Sequence, residues 1–536
     1  MAQAKLINGI VGGTAVSDID KVCKSVCDNM YFETQDAQAS TRAILRSIQG
    51  TTVYAEIPES NCRGIFRCSR GHNGDPALYA CFGSHVYLIL SGSTPTVYQI
   101  GQVSNAATEP VRFCETGGYG DAHPHLIVVD GAGCFAVDTT LLPLQQRADW
   151  KSLTLPIRSG TTSQLIKPTH CAYLYNYLVV NDEGTDAFYL SYQYPFESIL
   201  NAGGEEYLDD IFQVHKAFVD PRESDESRVG YGFAVYSEWM TDNTTALIST
   251  GSNLWTFGPR SYQVFSYMND ENFPFQSADT AAAAIGIRAP KSLATIGDMV
   301  FWLASSDIGQ NGVYVGRGKE VRRVSTYDIE REISKMENPE DAVAQCWQEN
   351  HHVFYALSFL HDQKTYVYDV SEEKWHTRSS YDQSKPNNMG VWRPQFATFA
   401  YNKIIFGTPN DNKLIFLDEN RFKEYDDLLI VRTRTSGVIL ADFSPFYVSY
   451  LRLVCNNGQV GDPNMIPQVA MRYSWDGSIW SDQEIGLIGE QGQYFYNTEW
   501  WNLECGKILS LEFKCSDDYN FCILTSKITY DITSMV

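Results

Sequence analysis

The chain has 536 residues, 44% of them hydrophobic and 13% aromatic; it is too long for one ordinary compact core and too apolar to be disordered, and its 32 Tyr and 27 Phe favour strands. Against 41 Lys and Arg stand 64 Asp and Glu, a net charge of -23, which excludes a protein that wraps nucleic acid through a basic surface. The acidity serves either solubility or, in a protein past which DNA slides, a wall to which a duplex does not stick.

The opening segment, MAQAKLINGIVGGTAV, lacks a basic-then-apolar block and a cleavage site, and no window of the chain approaches the ~18 continuous apolar residues that span a bilayer. The expectation is no membrane association, a chain made and folded in a cytoplasm, and an N-terminal arm over residues 1–41. Thirteen cysteines run from Cys23 to Cys522. Only Cys23 with Cys27 and Cys62 with Cys68 lie close in sequence, and neither pair is followed by a second pair at finger-like spacing. This predicts buried thiols in a reducing compartment rather than a zinc site.

From Arg42 onward one grammar repeats: an aromatic or β-branched strand, a short turn rich in Gly, Asn or Asp, and a second strand. Hairpins of this kind start at Pro76, His123, His170, Thr245, Ser292, His351 and Phe396, a loose period of about 45 to 75 residues with insertions. The turns Gly83-Ser84, Asp130-Gly131, Asp182-Glu183-Gly184 and Asn410-Asp411-Asn412 tolerate the positive φ of tight hairpins. A lone hairpin is marginal in water, so the units must stack, and radial stacking protects most edges. The fold class is therefore all-β: a β-propeller of six or seven blades over residues 42–427, with RAILRSIQGTTVYAEIP from Arg42 as the candidate closing strand.

Helical signals are few. Thr326–Met336, TYDIEREISKM, has an N-terminal Thr, early acids and a late Lys; a second helix is expected over Pro339–Glu349, where Pro, Glu and Asp occupy the first turn. Both are read as connectors between blades. After Asp427 six strand-like runs follow at the 8–12 residue spacing of a β-sandwich, which assigns residues 428–536 to a separate C-terminal domain.

Glu205, Glu206, Asp209 and Asp210 sit on one local run rather than on two opposed sites, as glycoside hydrolysis requires, and read as a solvated loop or interface. His351-His352, and His123 with His125, lack acidic or Cys partners at metal spacing and read as structural or solvent-facing. Neither a G-x-S-x-G elbow nor a phosphate loop occurs; the glycines of GVYVGRG, Gly312 to Gly318, lie between two strands and read as a hairpin. Asn243-Thr244-Thr245 is a formal glycosylation sequon without a secretory signal to make use of it. The basic residues Arg317, Lys319, Arg322, Arg323, Arg432 and Arg434 are open between edge-strand protection and pairing with acidic surfaces of neighbouring subunits. No catalytic, cofactor-binding or metal-ligating residue is assigned, no cofactor is expected, the partner interface stays open, and the chain is read as a non-enzyme.

The stretch from Asn253 to Thr326 carries a more specific signal. It contains "FG-x-R-S-x-x-V-F" over Phe257–Phe265, "F-P-F" over Phe273–Phe275, and "G-x-x-A-P-x-S-x-A" over Gly286–Ala294. It continues with "F-W-L" within Val300–Leu303, "D-x-G" over Asp307–Gly309, and "V-Y" at Val313-Tyr314. In this order the motifs resemble the packaged-DNA stabilisation proteins, or tail hub (nozzle) proteins, of short-tailed bacteriophages. A short helix follows "V-Y" in that family too. In the C-terminal part, MRYSWDGSIWS with Trp500-Trp501 resembles a terminal module of phage tail proteins; Gly492-Gln493-Tyr494 and Trp500 match part of its usual element, with Asn497 where Arg is common.

The resemblance implies a structural protein of the virion tail, assembled in the host bacterial cytoplasm as a homohexamer below the portal and its adaptor ring. It further implies a tail needle or plug and tail spike or fibre proteins as neighbours. The ring would enclose genomic DNA without sequence-specific binding, retain it in the head and form part of the ejection conduit. The alternatives are a β-propeller protein-interaction scaffold, which predicts a monomer, and a propeller glycoside hydrolase, which predicts opposed carboxylates in a central pocket.

Overall fold

The computed structural model describes residues 3–7, 10–16, 24–36, 39, 41–71, 75–104, 109–117, 124–153, 156–159, 162–193, 234–236, 242–269, 274–305, 311–442 and 444–533. Within them the chain is almost entirely β, and its centre is a seven-bladed propeller. Six blades are formed by consecutive antiparallel strands. Blade 1 spans Cys62–Cys68 to Thr96–Gln102, blade 2 Arg112–Glu115 to Lys151–Leu153, and blade 3 Cys171–Leu174 to Ala234–Tyr236. Blade 4 spans Ala246–Thr250 to Phe275–Ala283, blade 5 Gly286–Ile287 to Glu320–Arg323, and blade 6 Val343–Glu349 to Lys374–Thr377. Each hairpin recognised in the sequence falls in a different blade.

Blade 7 is composite. Gln395–Ala400, Lys403–Gly407 and Lys413–Asp418 supply three strands, and Gly50–Glu56 supplies the outermost, antiparallel to Lys413–Asp418 with Ile415 opposite Val53. The expected closure from the N-terminal side is thus present, but only its second half does the closing. The first half, Ala43–Ser47, leaves the propeller and pairs with Met30–Thr34 and Cys522–Ile532.

The ring is held by seven interblade cores, because a two-residue side-chain period gives each middle strand one face for each neighbouring blade. In Met299–Ser305, Trp302 packs with Trp255 and Phe257 of blade 4, whereas Phe301 and Leu303 pack with Tyr355 and Leu357 of blade 6. In blade 7, Ile405 and Leu414 join the core shared with blade 1, and Phe406 and Ile415 join the one shared with blade 6. These side chains are almost wholly buried. At roughly 25 cal/mol per Å² of apolar surface, this burial is the main stabilising term.

The C-terminal strands form a β-sandwich. One sheet runs Thr498–Gly506, Phe446–Cys455, Cys522–Ile532, Ala43–Ser47, Met30–Thr34, with Gln3–Leu6 also on Cys522–Ile532; the other includes Cys27–Asp28, Arg432–Thr435, Ile508–Cys515, Gln468–Ser474 and Glu484–Leu487. Their common core contains Ile7, Met30 and Leu45 beside Phe446, Leu451, Trp500 and Phe513. The described residues before Arg42, read as an arm in the sequence, contribute Gln3–Leu6, Cys27–Asp28 and Met30–Thr34 to these sheets. Cys27–Asp28 also bridges to blade 6 in parallel, Asp28 opposite Thr377.

The first expected helix is present as Tyr327–Ser334, its Thr326 side chain accepting from the Ile329 N–H, the N-cap arrangement its sequence announced. The second expectation is corrected. Pro339–Asp341 makes one 3₁₀ turn, and Val343–Glu349 is the innermost strand of blade 6. Pro, Glu and Asp favour a helical first turn, but Val343, Cys346 and Trp347 fill a strand position between two blades, and tertiary packing overrides the local signal.

Candidate functional site

The region carrying the motifs is the junction between blades 4 and 5. Buried Asp242 accepts hydrogen bonds from the Arg260 N–H (2.7 Å), the Ser261 N–H (2.9 Å) and the Ser261 hydroxyl (3.1 Å), fixing the turn after Phe257. Gly286 lies against that turn: a Cβ there would sit 2.1 Å from the Pro259 carbonyl oxygen, so only glycine allows the approach. Ser292, fully buried, donates to the Ala289 carbonyl (2.6 Å) and accepts from the Leu303 N–H (2.9 Å), while the Tyr355 hydroxyl donates to its carbonyl (3.0 Å). Glycine, arginine-serine turn and buried serine thus each have an architectural reason. Phe273 and Asp307–Gly309 lie outside the described residues.

The innermost strands face one another around the propeller axis and leave a cavity of about 340 Å³ bounded by blades 1 to 5. Phe66 and Phe113 stack at its wall, centroids 6.0 Å apart. Glu115, also in the wall, is turned to the Ser69 N–H (2.7 Å), the Ser69 hydroxyl (2.9 Å) and the Arg70 N–H (2.9 Å). His170 Nδ1 lies 3.0 Å from the Thr169 hydroxyl, and burial together with the Arg112 charge lowers its pKa to about 3, hence a neutral ring. The hydrogen bond with Cys171 and then burial push the Cys114 thiol, and burial pushes the Cys134 thiol, well above their ordinary range, as expected of core filler rather than nucleophiles. Arg112 is the one arginine of the wall, and desolvation lowers its pKa. No sequence signal had singled it out.

Other polar residues weighed in the sequence separate clearly. His351 is exposed in the tight turn between Val343–Glu349 and His352–Phe359, and His352 is buried with Nδ1 2.7 Å from Asp369. His125 opens an inner hairpin of blade 2, its N–H donating to Thr116. The glycines of GVYVGRG lie in the strand Asn311–Arg317 and the turn after it, as a hairpin requires. Glu205, Glu206, Asp209, Asp210 and His123 lie outside the described residues. Among the described residues, no group of three or more His, Cys, Asp or Glu is arranged to hold a metal ion, and no helix is long and apolar enough to cross a membrane.

The basic residues divide. Arg317 pairs with Asp298 (2.6 Å) and Arg322 with Glu373 (2.6 Å) at the surface, Arg323 reaches Glu330 (3.4 Å), and Lys319 is exposed in the Gly318 turn. Arg432 and Arg434 require a correction, since neither an edge nor a partner surface is where they lie. Both are fully buried. Arg434 donates to the carbonyls of Ile10 (2.7 Å), Gly13 (3.2 Å) and Val26 (3.2 Å), and Arg432 to those of Asp517 (2.7 Å) and Phe422 (2.8 Å). Their forked donors tie the N-terminal segment and the loop before the sandwich into the fold.

Comparison with known proteins follows the same lines. Residues 223–421 match the family model described as Bacteriophage P22 Gp10, beta-propeller. The chain is similar to that propeller. No curated protein matches. Among solved structures, it resembles the N-terminal domain of Nup159 (11% identity, 73% of this chain, 98% of that chain, TM-score 0.36). It also resembles a chain of the Chaetomium thermophilum Polycomb Repressive Complex 2 (7%, 61% and 73%, TM-score 0.35) and a candidate 6-phosphogluconolactonase from Bacteroides fragilis (9%, 75% and 100%, TM-score 0.36).

Proposed function

We propose that this chain is a structural protein of a short-tailed bacteriophage virion, a homohexameric tail hub that extends the portal channel and retains packaged DNA. The observation that carries the reading is the similarity of residues 223–421 to the Bacteriophage P22 Gp10 propeller. It is strengthened by the motif residues Ser261, Gly286 and Ser292, which are spent on architecture rather than on a reaction. A non-enzymatic role follows: the ring stiffens the conduit, and the adaptor ring, needle or plug, and spikes or fibres are its proposed neighbours. The net charge of -23 supports an acidic lumen that passes DNA without gripping it.

Light scattering on the purified chain, alone and with the adjoining head-tail components, tests this reading. A six-copy ring is expected, free or on docking; a monomer under both conditions would favour the interaction scaffold. Electron microscopy of the ring would overturn the acidic lumen if Lys and Arg line the channel.

A further inference from the structure

We propose that the axial cavity of the propeller is a binding site for a small oxyanion, held by Arg112. Three observations converge. The first is a cation without a counter-charge: Arg112 lines the cavity, and among the described residues none makes a hydrogen bond or ion pair with its guanidinium. Arg112 is half-buried, so its guanidinium stays open to the cavity and can take a counter-ion from solvent. The acid in the wall, Glu115, is occupied by three donors of the Ser69-Arg70 turn, and His170 stays neutral beside Arg112.

The second is the donor set. Ser249 and Thr295, from the inner strands of blades 4 and 5, line the same cavity, and among the described residues their hydroxyls have no partner. An arginine fork with two hydroxyls matches the planar or tetrahedral oxygens of a carboxylate or phosphate. The third is size. About 340 Å³ accommodates a small anion and is too narrow for a nucleic-acid duplex, so the ligand is a free ion or small metabolite. This site lies within one propeller and does not depend on the proposed hub function.

Titration calorimetry of the full chain at low ionic strength, with inorganic phosphate and separately with acetate, tests the assignment. One saturable site is expected for at least one of the two anions, weakened about tenfold or more by Arg112→Met and partly retained by Arg112→Lys. Which anion binds identifies the class. Because Arg112→Met could misfold, the unmodified protein is also treated with an arginine-specific dicarbonyl, and the Arg112 peptide is followed by mass spectrometry. Protection by the binding anion supports the site. Absence of saturable binding by both anions, unchanged affinity in a folded Arg112→Met, or no protection overturns it.

Discussion

The Arg378 guanidinium meets the Glu349 carboxylate at 3.3 Å with both side chains fully withdrawn from solvent. The rings of Trp347, Phe354 and Trp392 each lie 4.9 Å from the same guanidinium, and the Trp347 indole N–H donates to Glu349 (3.1 Å). Arg378 Nε also donates to His376 Nε2 (3.4 Å), and burial, then the Arg378 charge, hold that ring's pKa well below its ordinary value. The blade 6 to blade 7 core is therefore built around one charge pair inside aromatic walls, where the low dielectric strengthens it. Removing one partner strands the other. Glu349→Ala is expected to lower stability by about 3–5 kcal/mol, read as a lower denaturation midpoint, while joint replacement of Glu349 and Arg378 by apolar residues costs less than either single change.

Gly286→Ala forces a methyl group against backbone atoms of Pro259 that cannot retreat. It is expected to separate blades 4 and 5 locally. Hydrogen exchange should rise in Ala246–Thr250 and Met299–Ser305 and not in the sandwich; unchanged exchange in those strands would mean that the close approach is dispensable.

Closure of the ring depends on a comparable contact. A Cβ on Gly50 would lie 2.3 Å from the Lys423 carbonyl oxygen and 2.6 Å from that of Arg421, and the Gly50 N–H donates to Arg421. Gly50→Val is expected to loosen the outer strand of blade 7. Limited proteolysis between residues 48 and 62 reports it directly, and resistance equal to that of the unaltered chain would show that closure tolerates the bulk.

Glu424 gives the fold a pH dependence. It is buried at 4% exposure, and burial pushes its carboxyl from an ordinary 4.5 up to about 7, with Ser380 and Arg393 opposing the rise. Between those values the folded chain keeps a proton that the unfolded chain has lost. Stability therefore falls as pH rises through that window, and the full cost, roughly 3 kcal/mol at about 1.4 per unit, applies above pH 7. Glu424→Gln cannot ionise and is expected to remove this slope. Urea midpoints at pH 5 and pH 8 that shift equally in both proteins would exclude Glu424 as the source.

Much of the fold was legible because its determinants are local. Hairpin turns announce themselves through residues that tolerate positive φ, such as Gly131 and Asn410 (83° and 65°), and strand alternation follows from the pleat. What stayed hidden depends on distant partners. Val343–Glu349 reads as a helix until blades 5 and 7 enclose it. Arg432 and Arg434 read as surface charge because their acceptors, the carbonyls of Phe422, Asp517, Ile10, Gly13 and Val26, carry no side-chain signature. Arg112 was invisible because its significance lies in the cavity that strands distant in sequence build around it.

The pairing of Gln3–Leu6 with Cys522–Ile532 has a consequence for biosynthesis. The strands made first, including the one that seals blade 7 against Lys413–Asp418, must wait for partners made hundreds of residues later, and such non-local pairing is slow. A nascent chain interrupted before residue 522 leaves Gln3–Leu6 and Ala43–Ser47 without their strand, exposing edges prone to stray association. Translation must pass that point before Gln3–Leu6 and Ala43–Ser47 can settle, so products truncated short of it are expected to be lost to aggregation or degradation before assembly begins.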